Sequence, residues 1–77
     1  MTSFVHLHRI DPDKSMARFY AMSVQPNLFG EWSLVLEWGR IGSNGRIVAR
    51  HLASEHDAAC AMTKQLKTKL RRGYTAV

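Results

Sequence analysis

The feature that most constrains the fold of this chain is an alternating segment that ends in closely spaced glycines. In residues 32–38 the large apolar side chains stand at every second position: Trp32, Leu34, Leu36 and Trp38. A period of two is typical of a β-strand, in which alternate side chains share a face. The pattern therefore predicts a strand that carries both tryptophans on one buried face.

The glycines after this strand predict a chain reversal. Gly39, Gly42 and Gly45 follow at intervals of three, and Asn44-Gly45 stands between two apolar segments. Asn-Gly in this position is a strong hairpin signal, because both residues accept the backbone conformations that tight turns require. We expect a hairpin with an aromatic and an arginine side chain, Trp38 and Arg40, at its mouth.

The rest of the chain predicts a small antiparallel sheet and one helix. Strands are expected over residues 4–10, 18–25, 31–39 and 46–52, at hairpin-like spacing. Ser54 is a good N-cap for a following helix, and Gly73 stands where a C-terminal cap would. The expected apolar stripe of that helix is Ala58, Ala59, Met62, Leu66 and Leu70. The predicted fold is α+β: one domain, residues 1–77, with a meander-like sheet of about four strands under one C-terminal amphipathic helix.

Positive charge is concentrated at the C-terminal end. The formal net charge is +5, and up to Asp57 six basic residues balance six acidic ones. The charged residues after Asp57 are all basic: Lys64, Lys67, Lys69, Arg71 and Arg72. Helical spacing places Cys60, Lys64, Lys67 and Arg71 on the solvent face, with Lys69 and Arg72 toward the edges of the buried stripe. This asymmetry favours a polyanionic partner, nucleic acid first, although such residues also complement a helix dipole and aid solubility.

The order of these motifs resembles the WGR domain family, and the resemblance covers nearly the whole chain. It consists of Arg18-Phe19-Tyr20, Glu37-Trp38-Gly39-Arg40-Ile41-Gly42, Gly45, a Ser-initiated helix with Asp57-Ala58-Ala59, and Lys69 followed by Gly73-Tyr74. The fold that the resemblance implies agrees with the predicted sheet and helix. In the WGR domains of DNA-repair poly(ADP-ribose) polymerases, the matching tryptophan packs against the terminal nucleotide at a strand break. The resemblance therefore implies this role for Trp38.

The nucleic-acid-binding residues predicted in this way are Trp38, Gly39, Arg40 and Arg46, with Lys64, Lys67 and Arg71 as a secondary site. An exposed indole can stack on a base or sugar, and a guanidinium matches a phosphate bidentately. Both central residues have structural alternatives: Trp38 as part of the core, and Arg40 as a surface ion pair with Glu37. Residues 15–17, Ser-Met-Ala, lack the polar residue that helps the polymerases hold DNA, so that contact is expected to be absent.

The residues that could support catalysis do not form a recognisable set. There is no carboxylate pair or nucleophile–base pair, and no Lys-Ser or Lys-Thr follows Gly45 as in a phosphate-binding loop. His6 and His8 share a strand face, but two ligands make a weak metal site. We therefore expect no enzyme activity, metal, cofactor or small-molecule substrate. The single cysteine, Cys60, and the lack of a signal sequence or bilayer-spanning apolar run favour a cytoplasmic protein without membrane contact.

Two functions remain open at this stage. The first is a small non-enzymatic nucleic-acid-binding module, with DNA and its strand ends favoured. The second is a protein–protein interaction adaptor, because Leu28-Phe29 stands in a short loop and an unpaired sheet edge is expected.

Overall fold

In the computed structural model, which describes residues 3–77, one helix packs on one antiparallel sheet. The elements are β1 (Ser3–Asp11), β2 (Met16–Pro26), β3 (Trp32–Arg40), β4 (Arg46–Leu52), α1 (Glu55–Arg71) and β5 (Thr75–Ala76), with a short 3₁₀ turn at Pro12–Lys14. The strand order is β4-β3-β2-β1-β5. The α+β class is confirmed, and β5 adds a fifth strand to the four that were predicted.

The core lies between α1 and the face of the sheet that carries both tryptophans. The predicted alternation in β3 is confirmed, since Leu34 is fully buried and Trp32, Leu36 and Trp38 pack in the same cluster. The neighbouring strands continue the layer in register, with Tyr20 the Cα partner of both Leu7 and Trp38. We call this surface of the sheet the helix face. It contributes most of the fully buried side chains.

The ends of α1 are set by two capping arrangements. At the start, the hydroxyl of Ser54 accepts a hydrogen bond of 3.1 Å from the backbone N–H of Asp57, so the predicted N-cap is confirmed. At the end, Gly73 adopts a φ of 95°, and the N–H groups of Gly73 and Tyr74 donate to Leu70 (3.2 Å) and Lys69 (3.1 Å). This pair of bonds is a Schellman motif. It directs the chain to β5, which pairs with Leu7 and His8 of β1.

The buried side of α1 differs from the predicted stripe. Ala58 and Met62 are buried and Leu66 packs against the core, as predicted, whereas Ala59 is exposed and Leu70 is 47% exposed. The helix is rotated so that Lys69 faces the sheet, with its Nζ 4.5 Å from the centroid of the Tyr20 ring. A long side chain can bury its stem there while its charge interacts with an aromatic ring. Within residues 3–77, no helix has both the length and the apolar character needed to cross a bilayer.

Ser54→Ala is expected to lower the free energy of unfolding by about 1 kcal/mol, because the N–H of Asp57 loses its side-chain acceptor. Thr63→Ala is the matched control: Thr63 is an exposed α1 residue whose hydroxyl donates to Ala59 within the helix, and alanine has the higher helix propensity. Urea denaturation of the two variants measures the difference. Equal stability of the two would mean that the cap contributes nothing.

Candidate functional site

A cleft of about 630 Å³ opens beside the C-terminal end of α1, where β2 and β3 extend past the helix. Its walls combine three aromatic rings with cationic side chains: Tyr20, Trp38 and Tyr74, with Lys14, Arg18, Arg40 and Lys69. Among the described residues that line it there is no carboxylate and no histidine. The chemistry of the cleft is therefore that of flat apolar rings surrounded by positive charge.

The aromatic floor is a consequence of strand register. Tyr20 and Trp38 are Cα partners on adjacent strands, and their rings stack with centroids 5.9 Å apart and an interplanar angle of 19°. Tyr74 meets Tyr20 edge-on at 6.2 Å. Trp38 is only partly buried, because β3 continues beyond the core to Arg40. The indole thus contributes to the core and lines the cleft at once.

Lys69 forms the side of the cleft next to the helix. Its Nζ lies 4.5 Å from the ring centroid of Tyr20 and 5.6 Å from that of Tyr74. Burial lowers the pKa of Lys69, and the nearby charge of Arg72 lowers it further. Burial also raises the pKa of Tyr20 above 10.0, and its hydroxyl accepts a hydrogen bond of 3.0 Å from the amide of Gln65. Tyr20 is therefore neutral at physiological pH.

Three arginines form a row across the sheet beside the aromatic floor. Arg18 is the Cα partner of Arg9 on one side and of Arg40 on the other. All three lie on the helix face, two residues along each strand from Leu7, Tyr20 and Trp38. Within residues 3–77 none of these guanidinium groups pairs with a carboxylate. Like charges directly opposite each other destabilise a sheet, so this row favours binding of an anion.

Sequence reasoning did not select Arg9 or Arg18 as site residues. Each is an isolated arginine in the sequence, and the row exists only because β1, β2 and β3 pair in this register. The sequence could have indicated Arg18, because it stands two residues before Tyr20 on the same predicted strand and must therefore share its face. Arg9 is further held by the turn after α1, where a side chain at Gly73 would come within 3.3 Å of Arg9 Nε.

The predicted residues near the hairpin have different positions. Arg46 is the Cα partner of Trp38 and continues the positive charge along the helix face. Gly39 contributes backbone to the cleft. A side chain at this position would point to the other face of the sheet, where its Cβ would lie 2.6 Å from Gly45 Cα. The alternative ion pair between Arg40 and Glu37 is wrong, because the two residues lie on opposite faces of β3.

The secondary site is separate from the cleft. Lys64, Lys67 and Arg71 are exposed on the outer side of α1, as predicted, and none of them lines the cleft. By contrast, Lys14 and Ser15 do line it. Lys14 and Ser15 therefore offer an ammonium and a hydroxyl at the start of the 15–17 segment, where the DNA contact of the polymerases is expected to be absent.

The histidines do not extend this site. His6 and His8 lie on the same face of β1, as predicted, with ring centroids 5.0 Å apart in an edge-on arrangement. His6 Nε2 is covered and has no hydrogen-bond partner. Across residues 3–77 no three histidine, cysteine or acidic side chains gather in a group that could hold a metal ion. The cleft is therefore the candidate site that the structure supports best.

Comparison with known proteins gives one family and one relative. A family model described as WGR domain matches residues 3–77. An uncharacterized protein of Sinorhizobium fredii, y4dW, is 44% identical over 70 residues, which cover 91% of this chain and 34% of that protein. This chain thus spans about a third of the relative's length. No solved structure matches it significantly.

Proposed function

This chain belongs to the WGR domain family, and from that premise we propose that it is a small non-enzymatic nucleic-acid-binding module whose binding site is the aromatic and basic cleft. DNA is the favoured partner, as in the family's repair polymerases. The observation that carries the proposal is the unpaired row of Arg9, Arg18 and Arg40 beside the Trp38 ring. A row of cations without carboxylates is suited to a phosphate backbone.

Trp38 supplies the contact with the nucleotide. Its indole stacks on Tyr20, and both rings line the cleft, so a base or sugar can pack against an already ordered ring. Preorganisation of this kind reduces the entropy lost on binding. A strand end is the favoured form of DNA, because a terminal base pair has one face that no neighbouring pair covers.

Arg18 and Arg40 supply the contacts with phosphate. Both are exposed, line the cleft and lie on neighbouring strands, which are about 4.8 Å apart in a sheet. Guanidinium groups bind phosphate oxygens bidentately. Lys14 and Arg46 extend the positive charge on either side, while Lys64, Lys67 and Arg71 on α1 act at most as a distant second surface.

A binding role is proposed in place of a catalytic one because of the groups present in the cleft. The titratable side chains that line it are lysines, arginines and tyrosines. Catalysis by general acid and base needs a group poised to exchange a proton near neutral pH. Burial moves the pKa of Tyr20 away from that range. Burial and the charge of Arg72 lower the pKa of Lys69, but among the described residues that line the cleft no carboxylate, histidine or cysteine could form an acid–base pair with it.

The test is fluorescence anisotropy with a labelled short duplex that has a 5′-phosphate at an open end, against the same duplex closed by hairpins, at two salt concentrations. We expect tighter binding to the open duplex and a steep loss of affinity with salt. Arg18→Gln/Arg40→Gln should reduce the slope of log affinity against log salt by about 1.8, the value for two lost phosphate contacts.

The matched control is Lys64→Gln/Lys67→Gln, which removes the same charge from the exposed side of α1. We expect this pair to change affinity much less than the cleft pair. If both double variants weakened binding equally, the cleft would not be the site. If the wild-type protein bound neither duplex at low salt, the proposal would be wrong.

A second function, contact with another protein, is favoured by the loop between β2 and β3. Leu28 is fully exposed and Phe29 is 85% exposed. The loop is nevertheless ordered, because the Asn27 side-chain oxygen accepts hydrogen bonds from the N–H groups of Phe29 (2.9 Å) and Glu31 (3.0 Å). The affinity for a protein partner bound through such an apolar surface would depend weakly on salt concentration. The affinity for a duplex bound through phosphate contacts would depend steeply on it.

A further inference from the structure

The face of the sheet that points away from α1 is almost free of charge. We call it the open face. The five strand arginines, Arg9, Arg18, Arg40, Arg46 and Arg50, all lie on the helix face, as the strand register requires. The strand side chains of the open face in residues 4–51 include no lysine, arginine or aspartate, and one glutamate, Glu37. This segregation occurs in a chain with a net charge of +5.

Apolar side chains take the place of charge on the open face. Phe4, Ile10 and Ile47 are 65%, 63% and 66% exposed, respectively, and Phe19 and Val35 lie between them. An antiparallel sheet with one face in the core ordinarily presents polar side chains on the other. The apolar positions alternate with polar ones: His6 and His8 lie between Phe4 and Ile10 on β1, and Glu37 lies between Ile47 and β2. Large exposed apolar side chains gathered on one face are typical of an interaction site.

The open face continues into a recess at one end. Beside the loop that carries Leu28 and Phe29, an open recess of about 510 Å³ lies over Val35 and Ala49 of the sheet. Ser33, at the base of this recess, is buried and forms a contact of 3.3 Å with the His51 ring. The surface therefore has both a flat apolar area and a concave end that can receive an apolar side chain.

The molecule is large enough for one side of the sheet to form a protein interface. The principal extents of the molecule are 45 × 24 × 16 Å, and the two longer ones set an upper limit of roughly 1,100 Å² for one side of the sheet. A standard interface buries about 800 Å² on each partner. Most of the open face would have to take part.

We propose that the open face binds a second copy of this chain, sheet against sheet. The distribution of charge indicates which partner this face binds. Two copies repel each other wherever their arginine and lysine surfaces meet, but the open faces bring no lysine or arginine side chains of the strands together. A nucleic acid would find no lysine or arginine among the strand side chains of this face, where the basic groups of residues 4–51 are the imidazoles of His6, His8 and His51. Depletion of charge at the centre is typical of interfaces between proteins, and two such sheets pack about 10 Å apart.

In this dimer the two clefts point outward. Each copy keeps its own helix face free, so one dimer presents two separate basic surfaces on opposite sides. If the clefts bind nucleic acid as proposed above, the dimer joins two segments or two ends. Self-association itself does not depend on that function, and the two proposals can fail independently.

The test is analytical ultracentrifugation of the wild-type protein and two variants of adjacent residues on β4. Ile47 belongs to the open face and Val48 to the helix face, and both are exposed. Ile47→Lys is expected to raise the dimer dissociation constant at least about tenfold, because its ammonium, which stands opposite Glu37 on the neighbouring strand, loses its hydration in the interface. Val48→Lys is expected to leave it nearly unchanged. Phe4→Lys on β1, at the far side of the open face, is expected to act like Ile47→Lys.

Circular dichroism establishes that each variant is folded before the comparison. A wild-type protein that stays monomeric up to near-millimolar concentration would overturn the proposal. The proposal would also be overturned if Ile47→Lys and Val48→Lys raised the dimer dissociation constant equally and Phe4→Lys left it unchanged. That result would indicate a dimer formed by strand pairing along the β4 edge.

Discussion

Gly45→Ala is expected to lower the free energy of unfolding by about 2–4 kcal/mol. Gly45 has a φ of 70°, and an added Cβ would lie 2.5 Å from the carbonyl oxygen of Trp38 and 2.9 Å from the Phe19 ring. The carbonyl belongs to the β3 backbone and cannot move without disturbing the sheet. For a chain of this length the total stability is about 4–12 kcal/mol, so the loss is a large part of it.

Substitutions at two other glycines distinguish the cost of the positive φ from the cost of the close contact. Gly42 has a φ of 93° and nothing within 4 Å of an added Cβ, so Gly42→Ala carries only the conformational cost of about 1 kcal/mol. Gly39 lacks a positive φ, but an added Cβ would lie 2.6 Å from Gly45 Cα. Urea denaturation followed by circular dichroism ranks the three variants. If Gly42→Ala were as destabilising as Gly45→Ala, the close approach of β3 and residue 45 would not be the cause.

Trp38→Ala is expected to weaken binding to an open-ended duplex about 5-fold to 150-fold, the equivalent of about 1–3 kcal/mol for one stacked base. The loss follows because the indole lines the cleft and is held there by its stacking on Tyr20. Fluorescence anisotropy with the 5′-phosphorylated duplex measures it.

The matched control for that variant is Trp32→Ala. Trp32 lies on the same strand and the same face, is partly buried in the same core cluster, and does not line the cleft. Both variants lose a half-buried indole, so their stability losses should be similar, and urea denaturation confirms that each is folded in the assay. Affinity that fell equally in both would show that Trp38 acts through stability alone.

Local patterns predicted the parts of the fold that they determine. Alternation in residues 32–38 placed Trp38 on the helix face, because the side-chain period of a strand leaves no other arrangement. Ser54 marked the start of α1 because its hydroxyl can satisfy an N–H of the first turn. These predictions needed no knowledge of what the segment packs against.

The remaining features depend on contacts between distant segments. β5 has two residues, too few for a period, and exists because the turn at Gly73 directs it to β1. Helical spacing placed Lys69 at the edge of the buried stripe, but its contacts with the Tyr20 and Tyr74 rings depend on where β2 and the turn at Gly73 lie. The arginine row follows from strand register, so the cleft could be predicted only in part, through Trp38 and Arg40.

The placement of all five strand arginines on one side of the sheet also has a kinetic consequence. The separation of charge between the two sides gives the molecule an electric dipole roughly perpendicular to the sheet. A polyanion exerts a torque on such a dipole before contact, so an approaching molecule rotates until its helix face leads. Encounters then begin in the productive orientation more often than by chance, and the advantage decreases as added salt screens the field.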